Sequence, residues 1–226
     1  MKPSKPPFLA RHKFFLLFMY LLFALAIYPY LQNGSLGYLA FRIVGSAGIF
    51  LALYVISLRR TLLICALLLA IPALVQRVLL PRVDAGFLAL VAVVLSFVFD
   101  VFVVVMIFRR VFTKEQPNSE TIFGALCIYL LVGFCFASIY AMIATVEPKA
   151  FYLDPLTNLY SVPDRFDFVY YSFATMTSVG ASGMTATSRE ARSVTVIEAI
   201  LGVLYLAVMI ARLMGAYRHP SLAARD

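Results

Sequence analysis

Long apolar runs separated by short basic or small-polar breaks fill almost the whole chain. Six stand out, at 14–31, 40–58, 61–80, 85–108, 121–145 and 193–215. A helix crosses a hydrocarbon core of about 30 Å with about 20 residues, and these runs are of that order. A β-barrel, the other structure that satisfies its backbone within lipid, would show short stretches of alternating polarity instead. The pattern therefore predicts an all-α integral membrane protein with six transmembrane helices. Pro72 interrupts the third run, which ends among Arg77 and Arg82, so its boundary is soft. Only Arg59 and Arg60 part the second run from the third, which calls for a tight antiparallel hairpin. Ala24-Leu25-Ala26 follows Lys2, Lys5, Arg11 and Lys13 as a leader cleavage site would, but the apolar run continues through Ile27 and Tyr28. A retained helix is the expectation.

The polar breaks divide the chain further. Residues 1–13 and 218–226 read as tails and 14–108 as a four-helix domain. Residues 109–120, with Pro117, Asn118 and Ser119, form a linker, and 121–217 make a second domain. With an even number of spans, twelve Lys and Arg fall on the side of the tails and seven on the other. The excess of positive charge on the cytoplasmic side predicts a multi-pass cell-membrane protein with both termini in the cytoplasm. Composition agrees, since 63% hydrophobic and 13% charged residues cannot coat a globule in water. The net charge of +8 sits beside the apolar runs, where it meets anionic lipid head groups, and no soluble basic domain exists to bind nucleic acid. Cys65, Cys127 and Cys135 lie inside apolar runs without metal-ligand spacing. His12 and His219 stand in opposite tails, and no carboxylate pair, phosphate loop or metal cluster points to an enzyme or a bound cofactor.

The 47 residues at 146–192 are neither a simple loop nor a span. After Ser161-Val162-Pro163-Asp164 comes an aromatic run from Phe166 to Thr177, too short to cross a bilayer and suited to a re-entrant half-helix. Ser161 or Asp164 can cap it, with Pro163 in its first turn. It leads into Thr177-Ser178-Val179-Gly180-Ala181-Ser182-Gly183. Non-helical backbone at membrane depth must be buried in protein or line a wet cavity. A half-helix also directs the negative end of its dipole at that cavity, which favours a cation.

The run from Tyr170 to Gly180, together with Ala191-Arg192-Ser193-Val194-Thr195-Val196-Ile197-Glu198-Ala199, resembles the two-helix pore module of the potassium-channel superfamily in its bacterial six-helix form. The resemblance covers somewhat under half the chain. It implies a homotetramer in a bacterial inner membrane, in which backbone carbonyls of a Thr-Val-Gly-Tyr-Gly strand replace the hydration shell of K+. On that pattern, Thr177, Ser178, Val179, Gly180, Ala181, Ser182 and Gly183 form the monovalent-cation filter, with K+ or Na+ as permeant ion rather than cofactor. Beyond the modest change at Ser178, the letters depart from the family in three places. Ala181 lacks the aromatic ring that braces the family's filter, and Ser182 replaces a glycine whose backbone other residues rarely adopt. Gly183 stands where the family has Asp. Weakened discrimination of K+ over Na+ is the expectation, and a non-conducting subunit that retains the fold is the alternative.

Charges and glycines inside the spans complete the reading. Glu198 lies about five residues into the last run, roughly 7–8 Å deep at 1.5 Å per residue. An ionisable group there needs a partner or water. It braces the half-helix or attracts cations, or it bonds between helices, with Arg192 or Tyr171 as candidate partners. Asp100 in the fourth run is expected to be structural. No arginine occurs from Ala85 to Phe108, so the four-helix domain is not a voltage sensor by charge. Gly202 is a gating hinge or a close-packing site, and Gly45-Ser46-Ala47-Gly48 a small-residue packing face. The 11 residues after Gly215 lead to the expectation that a ligand sensor, if any, lies in the membrane portion or on another chain.

Overall fold

A computed structural model describes residues 12–31, 46–55, 70–71, 86–113, 119–158, 162–180 and 183–217. The expected hairpin at Arg59-Arg60, the Pro72 break, Arg77, Arg82, Gly45, Cys65, Ser161, Ala181, Ser182 and His219 lie outside them.

The architecture is helical. Helix α1 (Lys13–Ile27) ends in a short 3-10 turn (Tyr28–Leu31), and α2 (Ser46–Val55) follows. Then come α3 (Gly86–Phe112), α4 (Ser119–Val146), α5 (Arg165–Met176) and α6 (Arg189–Tyr217). Two segments, Glu120–Val146 and Arg189–Arg212, are long and apolar enough to cross a membrane. Helix α3 runs 27 residues and continues past the apolar run to Phe112. Arg109 and Arg110 occupy its last turn, where positive charge meets the negative end of the helix dipole, so basic residues there do not stop it. Helix α4 starts at Ser119, two residues before the expected domain boundary, and stops at Val146, because Pro148 disfavours helical backbone at Glu147.

One apolar core joins α1 (Phe14, Leu17, Leu21), α3 (Val103, Ile107, Val111) and α4 (Ala125, Ile128, Leu131). Polar side chains tie the helix ends together around it. Glu120 Oε2 accepts from the Phe14 N–H at 3.1 Å and Oε1 lies 3.5 Å from His12 Nδ1, which fastens the start of α1 to the start of α4. Arg110 Nη1 donates to the Val55 carbonyl at 2.8 Å, and Arg212 Nη2 to the Val111 carbonyl at 3.0 Å. Each arginine satisfies a backbone carbonyl of another helix, and Val111 lies in the last turn of α3, where orphan acceptors collect. Gly48 in α2 lies against the Tyr20 ring, 2.7 Å from the hydroxyl measured from where a Cβ would stand.

A second core lies around α5 and carries an element the apolar pattern does not reveal. Strand β1 (Phe151–Leu153) pairs antiparallel with β2 (Met184–Ala186), in the register Phe151 to Ala186 and Leu153 to Met184. Phe151, Leu153, Met184 and Ala186 point inward, while Tyr152 and Thr185 face out. Phe151 packs edge-on against Tyr140, Phe168 and Tyr171. Two strands of three residues are too short to register as an alternating period against aromatic surroundings.

Candidate ion-filter site

Helix α5 is built to be short. Asp164 is its N-cap, with Oδ1 accepting from the Phe166 and Asp167 N–H groups at 2.7 and 2.9 Å. Asp167 Oδ2 accepts from the Asp164 N–H at 2.8 Å, which closes a capping box. Pro163 therefore stands just before the cap instead of in the first turn. Burial pushes the Asp167 carboxyl above the ordinary aspartate value; the Asp164 N–H opposes that shift and the Asp164 charge adds to it.

Past Met176 the chain curls back on the end of α5. The N–H of Thr177 donates to the Phe173 carbonyl at 3.0 Å and that of Ser178 to Thr175 at 3.0 Å. Those of Val179 and Gly180 both donate to Ala174, at 2.9 and 3.1 Å. Four successive amides are thus turned toward the helix. Ser178 has φ +60° and Gly180 φ +73°, while Thr177 between helix and loop has φ −89°. Alternating right- and left-handed residues put N–H groups on one face of a strip and carbonyls on the other. Among the described residues, no donor reaches the carbonyls of Thr177, Ser178, Val179 or Gly180. All four residues are exposed in the single protomer.

Gly183 is engaged differently. That residue has φ +66°, and its carbonyl accepts two N–H bonds, from the Asp154 backbone at 2.9 Å and from Asn158 Nδ2 at 2.9 Å. With both lone pairs engaged, this carbonyl is turned into the 154–158 turn.

Behind the strip, α4, α5 and α6 meet at Glu198, whose side chain is completely buried. Its Oε2 accepts from the Tyr140 hydroxyl of α4 at 2.5 Å, and its Oε1 from Ser172 Oγ of α5 at 2.5 Å. Ser172 Oγ also lies 2.8 Å from the Gly133 carbonyl, so one hydroxyl hydrogen serves two acceptors. The candidate partners named from sequence are occupied elsewhere. Tyr171 bonds Thr195 Oγ1 at 3.0 Å, and Arg192 Nε donates to the Ala186 carbonyl at 3.1 Å. Asp100 lies half-buried on α3.

Glycines let the three helices approach. A Cβ on Gly202 of α6 would stand 2.5 Å from the Met176 carbonyl oxygen, and one on Gly133 of α4 would stand 2.8 Å from the Phe173 ring. In this structure Gly202 serves close packing against the end of the half-helix. The Tyr129 hydroxyl of α4 reaches the same Met176 carbonyl at 3.3 Å.

Residues 124–219 match the family model described as "Ion channel". This stretch is a pore module of the potassium-channel superfamily. No curated protein and no solved structure matches the chain. The matched residues of the pore module begin at Gly124 in α4 and take in the half-helix, the strip and all of α6. Tyr140, Ser172, Tyr129 and Asn158 support the site and were not singled out by sequence. Polar side chains among apolar neighbours at 129, 140 and 172 were the available signal, since each needs a partner inside a membrane.

Proposed function

We propose that the chain is one subunit of a homotetrameric channel that conducts monovalent cations passively, with discrimination of K+ over Na+ weakened. The observation that carries this reading is the strip at Thr177–Gly180, whose amides are all bonded to carbonyls of α5 and whose own carbonyls take no backbone donor among the described residues. Four such strips around one axis would supply rings of carbonyl oxygens to replace the hydration shell of a dehydrated cation. The next two positions in sequence, Ala181 and Ser182, depart from the family's filter letters, which supports weakened discrimination.

The exposed face of α6 supports assembly. Val196, Ile200, Val203 and Ile210 are each more than half exposed in the single protomer, which is more apolar surface than a lone subunit of a pore needs. The channel is read as spanning a bacterial inner membrane six times, with both termini in the cytoplasm and the basic loops on anionic lipid.

Ion flux through purified protein in liposomes, under separate K+ and Na+ gradients, tests the proposal. Flux of both ions with a small permeability ratio is the expected result. A ratio as high as that of an ordinary potassium channel overturns the weakened selectivity, and absence of flux favours a non-conducting subunit. Ala181→Tyr together with Ser182→Gly should raise the ratio.

A further inference from the structure

The turn at 154–158 does more than close a loop. Asn158 Nδ2 donates to the Gly183 carbonyl at 2.9 Å and to the Asp154 carbonyl at 3.0 Å, and lies 3.1 Å from Thr157 Oγ1. The Asp154 carbonyl also accepts from the Asn158 N–H at 3.0 Å, and Asp154 Oδ1 from the Leu156 N–H at 3.0 Å, so the turn is internally braced. The Asp154 N–H adds the second bond to Gly183. Gly183 is also sterically committed: a Cβ there would stand 2.5 Å from Thr157 Oγ1 and 3.0 Å from Asn158 Nδ2, and its φ of +66° favours glycine. The β1–β2 pair directly follows Gly183 and continues the same tie.

The filter stretch is therefore held at two points. At one end the Thr177–Gly180 amides are bonded to the carbonyls of α5, and at the other Gly183 is bonded to the turn. In sequence only two residues separate the anchors. We propose that Asn158 is a positioning residue for selectivity: through Gly183 it fixes where the far end of the carbonyl strip sits, and so how closely the strip can close on a small cation. This rests on the channel reading above.

Liposome flux with Asn158→Asp and Asn158→Ala tests it. The first keeps the shape and puts a carboxylate in place of the donor; the second removes the group. Both should change the K+/Na+ permeability ratio by about threefold or more, the scale of one net hydrogen bond, with oligomeric mass unchanged. Leu156→Ser, in the same turn at a side chain 94% exposed, should leave the ratio as it is. Conducting variants with an unchanged ratio overturn the proposal while the channel reading stands. A wild-type protein without cation flux overturns both. If the variants do not assemble, amide hydrogen exchange on the wild-type protein decides the anchor. The Asp154 N–H should be strongly protected, and exchange at the unfolded-chain rate overturns the tie.

Discussion

Helices α4 and α6 are 28 and 29 residues long and equally apolar over their spanning windows, yet half of α4 is buried inside the protomer and only 17% of α6 is. A row of buried or half-buried residues of α6, beside Val194 and Ala199, runs Ala191, Thr195, Glu198, Gly202, Tyr205, Met209 and Arg212, spaced alternately by four and three. That is a helical stripe of period 3.5 in which small and polar letters outnumber the large apolar ones, Tyr205 and Met209, while most apolar side chains of the helix point away. A helix in water would be arranged the other way round. In α4, by contrast, Ala125, Cys127, Ile128, Leu130, Leu131 and Cys135 are apolar and buried. The difference teaches that apolarity marks both helices as membrane elements without saying what covers them. Polar and small residues mark the contact face, because lipid gives an apolar side chain no reason to turn inward.

The largest expected effect lies on the polar stripe. Glu198→Ala removes the acceptor for two hydroxyls, leaves the completely buried Tyr140 hydroxyl without Oε2 and opens a cavity. It should destabilise the protomer by about 4 kcal/mol in denaturant unfolding in detergent. Glu198→Gln keeps one acceptor and one donor and should cost about 1 kcal/mol. Equal losses in the two variants would show that the pocket needs the charge rather than the bonds.

The contrast between the helices comes next. Ile128→Ala on α4, at a side chain 2% exposed, should cost about 3 kcal/mol, while Ile200→Ala on α6, at one 53% exposed, should change protomer unfolding by less than about 0.5 kcal/mol. The second variant should instead weaken the oligomer, read as a shift in mass on dilution. If Ile200→Ala unfolds the protomer as Ile128→Ala does, the exposed face is not a lipid or subunit surface.

Gly202→Ala should cost about 2 kcal/mol despite a gain in helix propensity of about 1 kcal/mol, because the new methyl meets backbone, the Met176 carbonyl, at 2.5 Å. Stabilisation by the alanine would mean that α6 can slide from α5 without loss, and the packing reading would fall. A hinge role would appear separately, as altered open probability at unchanged unfolding.

These variants also mark what sequence can give. The half-helix was legible because an aromatic run of about 12 residues cannot cross about 30 Å of hydrocarbon. Glu198 was legible as an acid at depth, but its partners were not: Tyr140 and Ser172 lie 58 and 26 residues away, and nothing local selects them over Tyr171 or Arg192. Gly183 was legible as a departure in a motif, and its commitment to Asn158 was not, because the turn and the strand pair that bring them together are each only a few residues long. Among the described residues, local pattern marked which segments are helical. Non-local hydrogen bonds decided how the site is braced.

The smallest effect comes from the end of α5 remote from α6, and it is a slope rather than a step. Burial raises the Asp167 carboxyl above its ordinary value, so the folded protein holds that proton more tightly than the unfolded chain does. The resulting stability is fully present below the ordinary aspartate value and is lost as pH rises through the raised one. Unfolding followed from just below that range to just above it should show stability falling with pH, weakly, since the group remains partly open to water. Asp167→Asn keeps an oxygen for the Asp164 N–H and removes the titration, so it should flatten the slope while the Glu198 and Gly202 effects stay the same size. A slope that survives in Asp167→Asn must arise from another carboxylate. A flattened slope that also shrinks the Glu198→Ala effect would show that the cap and the buried node act as one unit, and that α5 transmits between them as a rigid rod.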